Sequence, residues 1–261
     1  MNEREKISRY FSGLGNGELA NRLLDLADQV RTRRPLAVSD FVSPYAGQIA
    51  TTIRAHFSGL EVEENGGYHG AERIKIAFFR PEFAGKIDWN LSAVEASWDP
   101  RFRLLGHRDV LGALMGLGLE REVFGDILMQ PTCAQVVVDR AIVQYLLQNW
   151  QKIAMVNVTP REIPLTDLVP KIEKVKEVRT TVASLRLDAI GAAGYGMSRA
   201  KMVAAISAEK VQVNWQRAKG PAQIVAQGDV VSVRGRGRLV VAEITGTSRK
   251  GRTGLRLERY Q

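Results

Sequence analysis

Cysteine is almost absent: Cys133 stands alone among 261 residues. A lone thiol excludes an internal disulfide and a clustered-thiolate zinc site, and it suits a reducing compartment. Histidine is scarce as well, and His56, His69 and His107 lack the spacing of metal ligands. No metal is therefore expected. Long apolar runs are missing. The longest, Val110 to Leu119, falls short of the roughly 18 to 20 residues that span a bilayer. The first ten residues mix Glu3, Arg4, Glu5 and Lys6 with no apolar core behind them, unlike a secretory signal or an acid-poor transit peptide. These absences predict a cytoplasmic chain without membrane insertion; a plastid stroma is the alternative if the chain is a processed form.

Signatures of catalysis are missing too. His107-Arg108-Asp109 resembles a kinase catalytic loop, but Leu114 sits where the metal-binding Asn belongs. Gly13-Leu14-Gly15-Asn16-Gly17 follows no predicted strand, so it does not read as a dinucleotide loop. Cys133 has no evident activating base. The reading is a non-enzyme with no catalytic residue and no cofactor.

What is present is charge, and its placement is uneven. Residues 1–180 hold 23 Lys plus Arg against 23 Asp plus Glu, while residues 181–261 hold 14 against 5, the whole net +9 of the chain. Such asymmetry marks a polyanion-binding module. Nucleic acid is the first candidate, with an anionic membrane or an acidic partner behind it. The absence of a basic amphipathic helix with large apolar anchors weakens the membrane option.

Periodicity gives an α+β chain in three parts. Residues 1–83 carry two helices and a hairpin. Leu19, Leu23, Leu26 and Val30 recur at helical spacing, Ser43-Pro44 opens a second helix, and Ile74, Ile76 and Phe78 alternate as a strand after the Gly66-Gly67 turn. Residues 84–159 read βαββαβ, with strands at 91–98, 126–130, 134–138 and 153–158 and helices at 106–117 and from Asp139. That is the ferredoxin-like layout, shared by RNA-recognition-motif domains and many others. Pro160, Pro164 and Pro170, with a Lys/Glu-rich stretch after them, make 160–180 a linker. Residues 181–261 form a small α+β domain: short helices from Arg186 and from Ser198, the second turning Val203, Ala204 and Ile206 inward, then a twisted basic sheet.

Arg186-Leu187-Asp188, Gly194-Tyr195-Gly196, Ser198-Arg199, Val211-Gln212-Val213-Asn214 and Gly228-Asp229 stand in one order within the last segment. That set resembles the RNA-binding domain first known from small-subunit ribosomal protein S-four. Two departures concern turns. Ala208-Glu209-Lys210 replaces the usual Gly before the Val-x-Val strand, and Trp215 stands where a turn Gly commonly follows Asn. Upstream, Asp40-Phe41-Val42-Ser43-Pro44, Gly66-Gly67-Tyr68-His69-Gly70-Ala71-Glu72-Arg73, the run from His107 to Leu119, Glu120-Arg121 and Phe124-Gly125-Asp126-Ile127-Leu128 are similar to the YlmH family of bacterial RNA-binding proteins. Its cyanobacterial and plastid relatives are often labelled photosystem II assembly-type proteins. The resemblance implies binding to rRNA or tRNA on the large ribosomal subunit, in some members for quality control of stalled nascent chains. No DNA partner and a monomeric state are expected.

The candidate RNA-binding residues are Arg186, Ser198, Arg199, Lys201, Lys210, Asn214, Arg217 and Lys219. Their cations neutralise phosphates, and the helix opened by Ser198 presents free N–H groups to an anion. Ser198 reads equally as a cap alone, and Asp188 as a brace for an arginine or a helix cap. Arg234, Arg236 and Arg238 form a second basic set, either an arginine stripe on one strand face or a solvated hairpin bend. Arg249, Lys250 and Arg252 suggest a basic loop. Tyr195, Trp215 and Tyr260 are the sole aromatics of this segment, too few for successive base stacking, so folded RNA fits better than single strands. Two further readings stand beside this one: an RNA-modifying enzyme with a site near Tyr68, His69 and His107, and a protein-assembly adaptor.

Overall fold

The computed structural model describes residues 2–99, 101, 105–170, 175–247 and 251–260. Internal contacts divide the chain into two compact units, residues 1–171 and 172–261. No described helix is long and apolar enough to cross a membrane.

The first unit opens with three helices, α1 Glu3–Gly13, α2 Gly17–Thr32 and α3 Tyr45–His56, on a three-stranded antiparallel sheet of β1 Leu36–Val38, β2 Glu61–Asn65 and β3 Lys75–Phe79 in the order β1-β3-β2. Helix α2 buries Leu23, Leu24, Ala27 and Val30; of the residues whose spacing predicts the helix, Leu23 and Val30 are buried and Leu19 and Leu26 half-buried. Sequence reasoning missed α1. Its apolar content is low, and only Ile7 and Phe11 are buried; it is fixed instead by an Asn2–Glu5 capping box and by Arg4 reaching Asp25 and Asp28 on α2.

Next come β4 Leu91–Ser97, α4 His107–Met115, β5 Phe124–Met129, β6 Cys133–Asp139, α5 Val143–Asn149, a minimal hairpin of β7 Lys152–Ile153 and β8 Val156–Asn157, and β9 Thr159–Ile163. The sheet runs β5-β6-β4-β9, antiparallel throughout, which is the ferredoxin-like order. The closing strand is displaced from expectation. Residues 153–158 turn through Ala154 at φ 51°, and β9 pairs with β4 instead. Pro160 argues locally against a strand there. It is tolerated because β9 is an edge strand, where no ladder donor is needed on the open side. Ile153, Val156 and Val158 still go into the core, beside Trp150, Leu146 and Leu114.

The second unit contains β10 Val175–Val182, α6 Leu187–Tyr195, α7 Arg199–Ser207, β11 Val211–Val213, β12 Gln216–Arg217, β13 Val230–Val233, β14 Gly237–Thr247 and β15 Thr253–Tyr260. Its six strands form one sheet in the order β10-β15-β14-β13-β11-β12. The stretch 160–180, read as a linker, is therefore strand at both ends: β9 joins the middle sheet, and β10 pairs with β15 from Val175↔Tyr260 to Val182↔Thr253. Charge hid β10, because an edge strand can carry Lys176, Glu177 and Arg179 outward at no cost. The inward face of α7 also differs. Met202 and Ile206 are buried, Val203 is half-buried and Ala204 is exposed.

Helix α6 meets the sheet without a side chain to spare. A Cβ on Gly194 would lie 2.3 Å from Leu239 Cδ2, and Gly196 ends the helix in the left-handed region at φ 64°. The Gly-rich bend thus serves close packing and a C-cap.

Candidate nucleic-acid interface

The centre of the site is an acid. Asp188 lies in the first turn of α6 with its side chain only 4% exposed, and two arginines converge on it. Arg186, at the N-cap, places Nε 3.1 Å from Oδ1 and Nη2 3.2 Å from Oδ2. Arg199, the first residue of α7, places Nη2 2.6 Å from Oδ2. Burial acts to raise the Asp188 carboxyl, but hydrogen bonds from Arg186 and Arg199 outweigh it and hold the group below the usual carboxylate range. The carboxylate fixes both guanidiniums while leaving much of each in solvent.

Ser198 caps α7 by accepting the Lys201 N–H at 3.2 Å, so its hydroxyl oxygen is engaged locally. Lys201 is exposed one turn into the same helix, near Arg199. The following hairpin, β11–β12, carries Lys210 before it, Arg217 on it and Lys219 after it, all exposed. Arg217 forms an exposed pair with Glu209. Asn214 is different. Its Nδ2 donates to Asp229 Oδ1 at 2.8 Å and its Oδ1 accepts the Val230 N–H at 2.9 Å, so the amide ties this hairpin to β13.

The second basic set divides. Arg234 and Arg236 lie in the bend between β13 and β14 and are exposed, whereas Arg238 is on β14 with its guanidinium 5.4 Å from the Tyr260 ring centroid. The arrangement is a hairpin bend, since Val233 pairs with Gly237 and leaves 234–236 as the loop. Arg252 binds the Thr181 carbonyl at 2.6 Å; Arg249 and Lys250 lie outside the described residues.

The aromatics are unequal. Tyr195 is 2% exposed, with its hydroxyl 2.7 Å from the Val231 carbonyl oxygen and 3.0 Å from that of Gly237, and burial pushes its phenol up. It is a core residue. Arg259, which sequence reasoning passed over, stacks 5.4 Å from that ring. No local signal pointed to a ring 64 residues earlier in the chain.

Around Tyr68, His69 and His107, the alternative site in the first unit, hydrogen bonds converge on Asp126 and Arg73. Asp126 accepts the Tyr68 hydroxyl at 2.7 Å, the Glu72 N–H at 2.7 Å and the Arg73 N–H at 3.0 Å. Arg73 donates to the Phe124 and Phe41 carbonyls, and burial with the neighbouring Arg121 lowers its pKa to about 10. These bonds hold the 66–74 loop to β5. His69 and His107 are exposed, and the described residues contain no group of His, Cys, Asp or Glu able to hold a metal ion.

A buried acid bracing two arginines at the start of a helix, beside a basic hairpin, lies within the part of the chain that comparison assigns to the S4-domain class of RNA-binding proteins. Residues 185–231 match the S4 domain, residues 85–167 the putative RNA-binding domain in YlmH, and residues 15–83 the YlmH N-terminal domain. The chain is 32% identical over 236 residues to the ribosome-associated protein quality control protein P2 of Bacillus subtilis (strain 168), covering 89% of this chain and 90% of that one. The chain belongs to the YlmH family. The solved structure of the cell division protein ylmH from Streptococcus pneumoniae shares the fold, at 21% identity and a TM-score of 0.52, over 60% of this chain and 95% of that one.

Proposed function

We propose that this protein is a non-enzymatic, ribosome-associated factor that grips structured rRNA or tRNA through its second unit. The phosphate-facing residues are Arg186, Arg199, Lys201, Lys210, Arg217 and Lys219, with Ser198 and Asn214 shaping the helix start and the hairpin, and Arg234, Arg236 and Arg238 as an outer set. One observation carries the reading: Asp188 holds Arg186 and Arg199 at fixed positions on the solvent side of α6 and α7. Pre-ordered guanidiniums lose less freedom on meeting a phosphate than free ones. The relative from Bacillus subtilis is described as a ribosome-associated protein quality control protein, which supports the ribosomal part of this reading; action on the large subunit at stalled ribosomes in the cytoplasm belongs to the proposal. A monomer is proposed, the first unit supplying contacts to neighbouring RNA or protein.

The test is sedimentation with ribosomes across a salt series, using the full chain and its R199E/K201E variant. If about five phosphates are neutralised, log affinity should fall with log salt at a slope of roughly −4. The variant should bind more weakly and with a shallower slope. Wild-type sedimentation of the variant would remove this docking surface.

A further inference from the structure

Three residues near the β11–β12 hairpin have the positive φ that suits glycine: Glu209 at 56°, Asn214 at 51° and Trp215 at 61°. Glu209 and Trp215 lie at the two places where the sequence departs from the S-four pattern, so the turn geometry is kept although the residues differ. At 209 the left-handed residue ends α7: the Lys210 N–H reaches the Ala205 carbonyl, and the Glu209 carboxylate takes Arg217. Position 215 has no such explanation.

Val213 pairs with Gln216, so Asn214 and Trp215 are the central residues of a two-residue turn. Both have positive φ, as the twist-matched type I′ turn requires. Asn accepts that conformation, and Gly takes the second place freely; a bulky aromatic there is a backbone outlier. The core of this unit does not repay it. Trp215 is half-buried and lies outside the core cluster of this unit, which is built from Val211, Val213, Val231 and their neighbours. Strain kept where glycine would relieve it points to work done by the side chain.

The surroundings say what work. Val211 and Val213 face the core, so Gln212 and its cross-strand partner Arg217 face solvent. Arg217 is two residues along the chain from Trp215, on the strand that leaves the turn. Lys210 and Lys219 flank the base of the same hairpin. The other two aromatics are taken, Tyr195 by the core and Tyr260 by Arg238 and Glu258.

We propose that Trp215 is a single base-stacking platform, which takes one unpaired nucleobase of RNA while Arg217, Lys219 and Lys210 hold the adjoining phosphates. The assignment rests on the RNA-binding reading above and adds to it a preference for an unpaired base within folded RNA. Every base presents a π-face, so the platform selects exposure of a base rather than its identity.

The experiment uses the full chain at one salt concentration with two probes: an RNA stem-loop with six unpaired adenines, and a blunt duplex of the same stem. Affinity is read by anisotropy and stacking by tryptophan fluorescence, for wild type, W215F, W215L and W215G. W215L keeps an apolar side chain and the backbone strain but removes the π-system; a melting curve for each variant establishes that it is folded. W215F should bind the stem-loop within about threefold of wild type, while W215L and W215G lose roughly 5- to 150-fold, the span of one base–aromatic stack. Duplex affinity should not change, and the stem-loop should quench wild-type emission but not that of W215F. A wild type that binds the stem-loop alongside an equally tight W215L overturns the platform and leaves the RNA reading intact. Loss of ribosome sedimentation by W215L with unchanged stem-loop affinity also overturns it, since Trp215 then meets protein. A wild type that binds neither RNA overturns both.

Discussion

Replacing Asp188 by asparagine keeps the shape of the side chain and removes its charge, which separates bracing from simple electrostatics. The carboxylate is 4% exposed, but its partners Arg186 and Arg199 are 39% and 58% exposed. A hydrogen bond to a charged group contributes about 1.5–3 kcal/mol, and solvent screening at the arginine ends reduces that. A net loss of about 2 kcal/mol is expected. For a unit of this size, 1 kcal/mol moves Tm by about 4–8 °C, so the transition of the second unit should fall by about 8–16 °C in calorimetry. Because the folded pKa of Asp188 lies below its unfolded value near 3.9, its stabilisation is complete above that value and is lost as pH falls through the folded pKa. The gap in Tm between wild type and D188N should thus be constant from pH 5 to 8 and narrow below about pH 4. RNA affinity separates the two ideas more sharply. Deleting a negative charge beside phosphates strengthens binding if only net charge matters. Bracing predicts the reverse, on the order of three- to tenfold weaker, from the ordering entropy of two released arginines. Tighter binding by D188N at 25 °C, with the protein folded, would refute the bracing argument.

Lys75 is 3% exposed and its Nζ lies 2.6 Å from Asp139 Oδ2, while the other oxygen of Asp139 accepts hydrogen bonds from Asn90 and Ala141. K75M should cost about 2–3 kcal/mol, because it strands a partly buried carboxylate; an unchanged denaturant midpoint for the first unit would show the pair to be dispensable. A fragment 172–261 should unfold cooperatively, while 184–261 lacks β10 and the buried Val182 and should melt about 8–16 °C lower. Equal melting of the two fragments by circular dichroism would contradict the role given to that strand. Burial, with Glu95 nearby, pushes the Cys133 thiol up to about 11, so alkylation of the folded protein at pH 8 should be slow and should accelerate as pH approaches 11. Fast modification at pH 8 would mean that the thiolate is stabilised there.

Much of this protein is determined locally and could be read from its residues. The period of Leu19, Leu23, Leu26 and Val30 makes α2 a helix in any context that buries one face. The alternation of Val211 and Val213, the Gly228-Asp229 turn and the charge of residues 181–261 define the second unit and the polyanion class it binds, because side-chain direction and net charge need no tertiary partner. Asp188 was readable as an arginine brace, since an acid among phosphate-binding cations has few other uses.

Position in the sheet was not readable. Strands β9 and β10 carry Pro160 and a run of Lys and Glu, which local rules assign to a linker; only the open edges they occupy make those residues compatible with pairing. Packing likewise chose Met202 over Val203, because the direction in which α7 meets α6 and the sheet sets which side of a short helix is buried. The same holds for Asn214, Tyr195 and Trp215. One-dimensional patterns gave Asn214 a surface role and counted Tyr195 and Trp215 only as aromatics too few for successive stacking. Tertiary structure assigned Asn214 to β13, put Tyr195 in the core and left Trp215 at a strained turn, because long-range hydrogen bonds and burial are settled by what the folded chain brings alongside.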